Sequence, residues 1–395
     1  MHEKRVQNVG KVLRQEKTDA LLVWNHEGSG QPATGWLSGF TGTSSILLIV
    51  REKILRPKTT TSFHKGGIRT YLITDGRYTA QSKKEAKEFT ISITSGQMSA
   101  LKILKKLIER EKIGKIIFDG SVTPYGVVEE LKSSVSEDRD TSFKKGGIKK
   151  AAVELISRKR VLQELRVVKE KEELKLLAKA ADIACRAFLR LIPDISVGMT
   201  EKEIAERLET FCKVEGAEGF AFPTCVLSGK NGALPHGKPT EKKIRSGELI
   251  TIDFGVKYQG YVSDMTRTVV VGKISSHLRK IYEAVRKAQE LGCKAAKAGV
   301  TGKHIDTVCR NYLAKQGFGK YFTHSTGHGI GMEVHELPIV SPHFTTPLRE
   351  GSVITCEPGV YIPNVGGVRI EDALVLTKNG NINLTGHVSK ELFVV

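Results

Sequence analysis

Between Leu249 and Val271 the chain carries two apolar runs of strand length, Leu249–Val256 and Tyr261–Val271, separated by Lys257-Tyr-Gln-Gly260. Two such runs joined by a short turn ending in glycine predict a β-hairpin. The hairpin constrains the fold because each arm holds an aspartate, Asp253 in Ile252-Asp-Phe-Gly and Asp264 in Ser263-Asp-Met-Thr-Arg. Facing positions on adjacent strands lie about 5 Å apart, so the two carboxylates can sit near each other. Like charges among apolar strands are tolerated if a cation lies between them or if one is protonated. The alternative is a pair of solvated aspartates at strand ends.

The same chemistry continues downstream. His324-Ser-Thr-Gly-His328-Gly-Ile-Gly-Met-Glu-Val-His335 holds three histidines, and Gly327, Gly329 and Gly331 work against a helix. This excludes the helical two-histidine zinc motif, and the run lacks the strand-turn-helix setting of a dinucleotide site. An extended, glycine-rich segment lets backbone and ligand approach closely. Glu357 in Thr355-Cys-Glu-Pro-Gly and Glu371 in Gly366-Gly-Val-Arg-Ile-Glu-Asp add carboxylates beside apolar strands. Four carboxylates and an imidazole form a hard, oxygen-rich donor set, better suited to a pair of divalent ions such as manganese or cobalt than to a lone zinc held by thiolates.

A chain of 395 residues, 39% hydrophobic, is long enough for two domains with separate cores. In the first part a helix over Arg5–Gln15, strands at Ala20–Trp24, Ile46–Val50, Thr70–Thr74 and Lys115–Phe118, and a helix over Leu101–Glu111 predict an α/β domain over residues 1–160. From Val161 to Ala187 apolar residues recur at helical spacing, predicting one long connecting helix into a second domain, 161–395. There Thr200-Glu-Lys-Glu203 reads as a capping box for a helix ending near Val214, followed by a strand over Thr224–Ser228 and then the hairpin.

The net charge of +19 raises nucleic acid as a partner, so its distribution matters. The excess concentrates in two windows, about 51–70 and 141–160, which share nearly the same peptide: Thr61-Ser-Phe-His-Lys-Gly-Gly-Ile68 and Thr141-Ser-Phe-Lys-Lys-Gly-Gly-Ile148. Lys-Gly-Gly has little to bury, so both read as basic inserts in surface loops. Each copy offers one phenylalanine, too few interleaved aromatics for a nucleic-acid surface, and no such partner is expected. No apolar run reaches the roughly 20 residues of a membrane span, and the first 25 residues lack a secretory apolar block. Six scattered cysteines without a Cys-x-x-Cys pair fit buried, reduced thiols in a cytoplasmic protein.

Leu234-Pro-His236-Gly, Ile252-Asp253-Phe-Gly, Ser263-Asp264-Met-Thr-Arg, His324-Ser-Thr-Gly-His328-Gly-Ile-Gly, Val334-His335-Glu-Leu-Pro, Glu357-Pro-Gly and Gly367-Val-Arg369-Ile-Glu371-Asp resemble, in order and spacing, the motifs of the pita-bread metallopeptidases. Within these the chain is similar to aminopeptidase P and proline dipeptidase. Trp36-Leu-Ser-Gly-Phe-Thr-Gly and Tyr71-Leu-Ile-Thr-Asp-Gly-Arg-Tyr78 resemble the creatinase-type N-terminal domain. The resemblance covers nearly the whole chain apart from the two basic inserts. It implies an α/β creatinase-like domain followed by an α+β pita-bread catalytic domain. It further implies that Asp253, Asp264, His328, Glu357 and Glu371 ligate two divalent metals, manganese first, with cobalt or zinc as alternatives, Asp264 and Glu371 bridging. A water between the ions would lose its proton near neutral pH and attack the scissile carbonyl. Glu357 would move the water's proton to the leaving nitrogen, His236 and His335 would hydrogen-bond the oxyanion and leaving group, and His324 and Arg369 would shape the proline pocket. The implied activity is release of the N-terminal residue from Xaa-Pro peptides by a homodimer. The alternatives are a dipeptidase restricted to free Xaa-Pro and a non-catalytic binding module on the same fold.

Overall fold

The structure is a computed structural model that describes residues 2–29, 31–52, 67–136 and 153–395. The chain divides into two compact units, Met1–Leu165 and Arg166–Val395.

The first unit is built on a six-stranded sheet. Its elements are α1 (His2–Gln15), β1 (Ala20–Asn25), α2 (Pro32–Ser38), β2 (Ser45–Arg51), β3 (Ile68–Thr74), α3 (Thr79–Glu85), β4 (Thr90–Ile93), α4 (Ala100–Arg110), β5 (Lys115–Phe118), α5 (Tyr125–Ser136) and β6 (Glu154–Ser157). The strand order is β4-β3-β2-β1-β5-β6, with β1–β2 and β2–β3 antiparallel and the remaining pairs parallel. Leu104 and Leu107 of the amphipathic α4 bury against Ile46 and Leu48 of β2.

The basic inserts lie largely outside the described residues. Where their windows are described, the loop reading is corrected: Arg51 ends β2, Ile68–Thr70 open β3, and Glu154–Ser157 form β6. Ile68 is only 1% exposed. A Cβ on Gly10 of α1 would lie 2.0 Å from its Cδ1, so this end of the repeat is core, not loop.

The helix expected from Val161 to Ala187 is two helices, α6 (Val161–Arg166) and α7 (Lys171–Leu191). Between them Val168 bridges to Ser352, and Lys169 N–H donates to Gly351 O at 2.9 Å. The β-branched pair Val167-Val168 favours this extended link, and α7 restarts with Glu173 accepting from Glu170 N–H at 2.8 Å.

The second unit continues with α8 (Glu201–Val214), β7 (Gly219–Phe220), β8 (Cys225–Ser228), β9 (Leu249–Phe254), β10 (Val256–Tyr258), β11 (Tyr261–Val262), β12 (Met265–Val270), α9 (Ser276–Ala295), α10 (Gly302–Lys315), β13 (Gly327–Gly329), β14 (Glu336–Val340), β15 (Val353–Cys356), β16 (Gly359–Ile362), β17 (Gly366–Arg369), β18 (Asp372–Leu376) and β19 (Asn381–Asn383). The strands form the sheets β11-β10-β7, β12-β9-β8, β14-β13-β15-β18-β19 and β16-β17. Every pair within them is antiparallel. One core packs α7 and α8 against β9 and β12, with Phe188 stacked 6.4 Å from Phe254. The other packs α9 and α10 against the strands that follow. The capping box forms as its residues predict, Thr200 and Glu203 exchanging hydrogen bonds of 2.7 and 3.1 Å.

All six cysteines are free thiols, five of them buried. They are less scattered in space than in sequence, since Cys309 and Cys356 crowd one glycine: a Cβ on Gly292 would lie 2.5 Å from Cys309 Sγ and 2.7 Å from Cys356 Sγ.

Candidate metal centre

The hairpin closes through Gln259-Gly260, both with positive φ (46° and 80°) and flanked by the Tyr258–Tyr261 pair. This is the two-residue turn whose twist matches paired strands, and it requires a residue tolerant of the left-handed region. Gly255 then lets the arms change sheets, because a Cβ there would lie 2.0 Å from Ser263 O. Below that point β9 and β12 pair with Asp253 opposite Thr266, and Asp264 sits one residue before β12.

His328 is presented by β13 between two glycines. What needs those glycines is neighbouring protein backbone, not a ligand: a Cβ on Gly327 would lie 2.1 Å from Thr355 O, and one on Gly329 would lie 2.4 Å from Leu337 O. His328 Nδ1 faces Gly329 O at 3.1 Å. A carbonyl only accepts, so Nδ1 donates and Nε2 points at the carboxylates. Nε2 lies 3.6 Å from Asp264 Oδ2 and 3.2 Å from Glu357 Oε1. Donor atoms of Asp264, His328 and Glu371 all fall within 4.8 Å of one another.

The other two carboxylates are fixed by donors on one side only. Arg369 Nη2 donates to Asp253 Oδ2 at 2.5 Å, and Thr266 Oγ1 donates to Glu371 Oε2 at 2.7 Å. Asp253 Oδ1 and Glu371 Oε1 are buried without any hydrogen-bond partner. A bare buried carboxylate oxygen is costly, and the remaining donors here are carboxylates and an imidazole. These residues fit a divalent cation pair. Burial, reinforced by Glu371, Asp253 and Glu357, pushes the Asp264 carboxyl well above its ordinary range, and burial with Glu357 and Asp253 does the same to Glu371. Burial also acts upward on Glu357, yet the His328 imidazole beside it prevails and brings it down to about 2.

The remaining expected residues fall around this cluster. His324 Nδ1 donates to Ser325 O at 2.8 Å, and its Nε2 lies 2.9 Å from the Tyr361 hydroxyl. Burial lowers the His324 pKa and raises that of Tyr361 to about 12, so the hydroxyl donates to a neutral ring. Arg369 Nη1 in turn donates to Tyr361 at 2.6 Å. Arg369, expected at the substrate, is therefore engaged by Asp253 and Tyr361 and is buried. His335 is exposed, its ring 4.2 Å from that of His328, and desolvation followed by that neighbour holds its pKa down. Glu336, next in sequence, is buried and pairs with Lys169 at 2.8 Å and Arg166 at 3.3 Å, while accepting from Met332 and Glu333 N–H. His236 is exposed on the turn Leu234–Gly237, where Pro235 O accepts from Arg369 Nη1 at 3.4 Å.

Thr266 and Tyr361 escaped the sequence reading. Thr266 is two residues from Asp264 and Tyr361 four from Glu357, the alternation that puts side chains on one face of a strand, and that period was the available signal.

A carboxylate-rich cluster of this kind, carried on antiparallel strands that follow an α/β unit in the chain, defines a metal-dependent hydrolase. Residues 175–378 match metallopeptidase family M24 and residues 5–168 match the creatinase/prolidase N-terminal domain, and the chain belongs to this pita-bread family. It is 38% identical to an uncharacterised peptidase of Bacillus subtilis over 91% of this chain and 92% of the relative. It is 46% identical to a Xaa-Pro dipeptidase of Pyrococcus horikoshii over 67% and 71%. Among solved structures, an X-Pro aminopeptidase of Thermotoga maritima superposes with a TM-score of 0.82 at 37% identity, covering 96% of this chain and 98% of that one. A Xaa-Pro dipeptidase from Bacillus anthracis gives 0.87 at 34% over the full length of both.

Proposed function

We infer that the chain is a metal-dependent aminopeptidase that hydrolyses the bond between an N-terminal residue and a following proline. The observation that carries this reading is the pair of bare buried oxygens, Asp253 Oδ1 and Glu371 Oε1, in a cluster with Asp264, His328 and Glu357. These five side chains would hold two divalent cations, manganese foremost. Bound there, such ions supply an acidified water and a Lewis acid for the scissile carbonyl.

The chain's own groups do the rest. Glu357 takes the proton of the attacking water and passes it to the proline nitrogen. His236 and His335, exposed at the rim, donate to the developing oxyanion and the leaving group. Neutral His324, edge-on to Phe322 and tilted against Tyr361, gives a wall on which a pyrrolidine ring can lie. Arg369 acts through Asp253 and Tyr361. The names of the Thermotoga, Bacillus anthracis and Pyrococcus relatives support the Xaa-Pro preference. Six free thiols support a cytoplasmic setting, and the family resemblance supports a homodimer.

Assays with Mn2+ on a tripeptide with proline second, the corresponding Xaa-Pro dipeptide, and the alanine and N-acetylated counterparts of the tripeptide test the reading. The proline tripeptide is cleaved. Alanine brings an extra N–H against an unpaired wall and loses about 1–3 kcal/mol, and the acetylated peptide, lacking an ammonium for the carboxylates, reacts poorly. Equal cleavage of Xaa-Ala and Xaa-Pro tripeptides would replace the reading by a broader aminopeptidase, and cleavage of the dipeptide alone by a dipeptidase.

A further inference from the structure

The loop that carries His236 is tied down by a carboxylate that has no part in the reaction above. Glu201, the first residue of α8, is 0% exposed. Its Oε1 accepts from Ser228 N–H at 2.7 Å, Ser228 Oγ at 2.9 Å and Asn231 Nδ2 at 3.1 Å. Its Oε2 accepts from Thr240 N–H at 3.0 Å, Thr240 Oγ1 at 2.7 Å and Asn231 Nδ2 at 3.2 Å. Ser228 ends β8 and Thr240 closes the excursion that follows, so one side chain pins both ends of the segment in which His236 lies.

The opposite side of that segment is equally fixed. A Cβ on Gly367 of β17 would lie 1.9 Å from Gly232 O, and one on Gly232 would lie 3.0 Å from Gly367 N. The loop backbone therefore rests directly on the strand that ends in Arg369, whose Nη1 reaches Pro235 O. The capping box accounts for Thr200 and Glu203 but not for Glu201. An acidic residue in a first helical turn is stabilising while solvated. Burying it is expensive unless donors replace water, and here the donors are Asn231 in the loop and Ser228 and Thr240 at its two ends.

We propose that Glu201 is the positioning residue for His236, setting the 229–239 loop so that the imidazole faces the reacting bond. The proposal rests on the role given to His236 above. In Glu201→Gln an amide donor replaces one acceptor and opposes the donors of Ser228 or Thr240, loosening the loop at one end; Thr240→Val removes one donor to Glu201, together with the acceptor of Lys242 N–H and Asn231 Nδ2, and leaves the carboxylate in place. With Mn2+ and a Xaa-Pro tripeptide, E201Q lowers kcat/KM at least tenfold, on the scale where a displacement of about 1 Å costs about 100-fold. Metal content stays at the wild-type level, and hydrogen exchange speeds up over 229–240 but not over 324–336. In a His236→Ala background neither E201Q nor T240V lowers kcat/KM further. Losses that multiply in E201Q/H236A, or an E201Q enzyme with normal kcat/KM, overturn the proposal. If E201Q does not fold, the T240V and H236A pair decides by the same rule. An unchanged kcat/KM in H236A alone removes the role of His236 and the proposal together, whereas loss in H236A with none in E201Q removes only the proposal.

Discussion

Glu371 divides its two oxygens between tasks: one takes the Thr266 hydroxyl, and the other is left bare in a buried cluster. Under the proposed ligand assignment, replacing it with Gln would remove one negative charge from the site and weaken the screening of the cations' repulsion. E371Q is expected to hold fewer than two metals per chain by elemental analysis and to lose turnover at least 100-fold. Two tightly held ions with normal turnover would sink the ligand assignment. The titration of the cluster gives a second prediction. The folded-state pKa values of Asp264 and Glu371 are raised by burial and by their carboxylate neighbours. Above the ordinary carboxylate range the metal-stripped folded chain therefore holds protons that the unfolded chain has released. Its stability falls as pH rises through those raised values. Cations favour the ionised forms, so the rise in melting temperature on adding Mn2+ to stripped protein should be larger at pH 8 than at pH 5.5. An equal rise at both would contradict the placement of these two groups at the metals.

At the scale of elements, the hairpin shows what local sequence can specify. Gln259-Gly260 sets the turn, the turn sets the register, and a slip of one residue would send Asp253 and Thr266 to the wrong face. Gly260→Val forces a β-branched residue into φ 80°. It should cost about 1–2 kcal/mol, read as a lower urea midpoint with metal content unchanged; an unaltered midpoint would mean that the turn accepts a side chain at this φ. The hairpin, the Thr200 capping box and four strands of the first unit, β1, β2, β3 and β5, were legible because their signals lie within a few residues, whereas β4 and β6 were not. The break between α6 and α7 was not, because it depends on Val168 and Lys169 pairing with Ser352 and Gly351, partners far along the chain. The glycines around His328 were read as room for a ligand for a related reason: the strand backbones that crowd them come from β15 and Leu337. The motifs pointed to four carboxylates and one imidazole, and the family resemblance implied which imidazole, His328, to set beside them. Thr266, which holds Glu371, and Tyr361, which joins His324 to Arg369, leave only a two-residue period in the sequence, and their partners emerge from contacts.

For the whole molecule, every residue of the candidate site belongs to the second unit, whereas the basic repeats fall within the first. Removing residues 61–66 and 141–147, which spares the buried Ile68 and lies outside every motif of the candidate site, should leave kcat and KM for a Xaa-Pro tripeptide within about twofold, since the Lys-Gly-Gly sequence offers little to bury. Loss of soluble protein, or salt-sensitive RNA binding that vanishes with the repeats, would show that they do more than add positive charge. The buried ion pairs of the second unit bear on how it can be cut free. The span that matches the metallopeptidase family, 175–378, stops short of folding limits at both ends. Beginning there discards Arg166 and Lys169, the two cations paired with Glu336 beside His335. Ending there discards Asn383, Thr385 and Lys390, which with Arg267 and Gln289 surround Asp372 beside Glu371. A buried charge stripped of its partner costs about 3–5 kcal/mol, and a domain has only about 5–15 kcal/mol to lose. A truncated enzyme of 175–378 should therefore go to inclusion bodies, while one running from Arg166 to Val395 keeps both carboxylates compensated and is the shortest piece worth expressing.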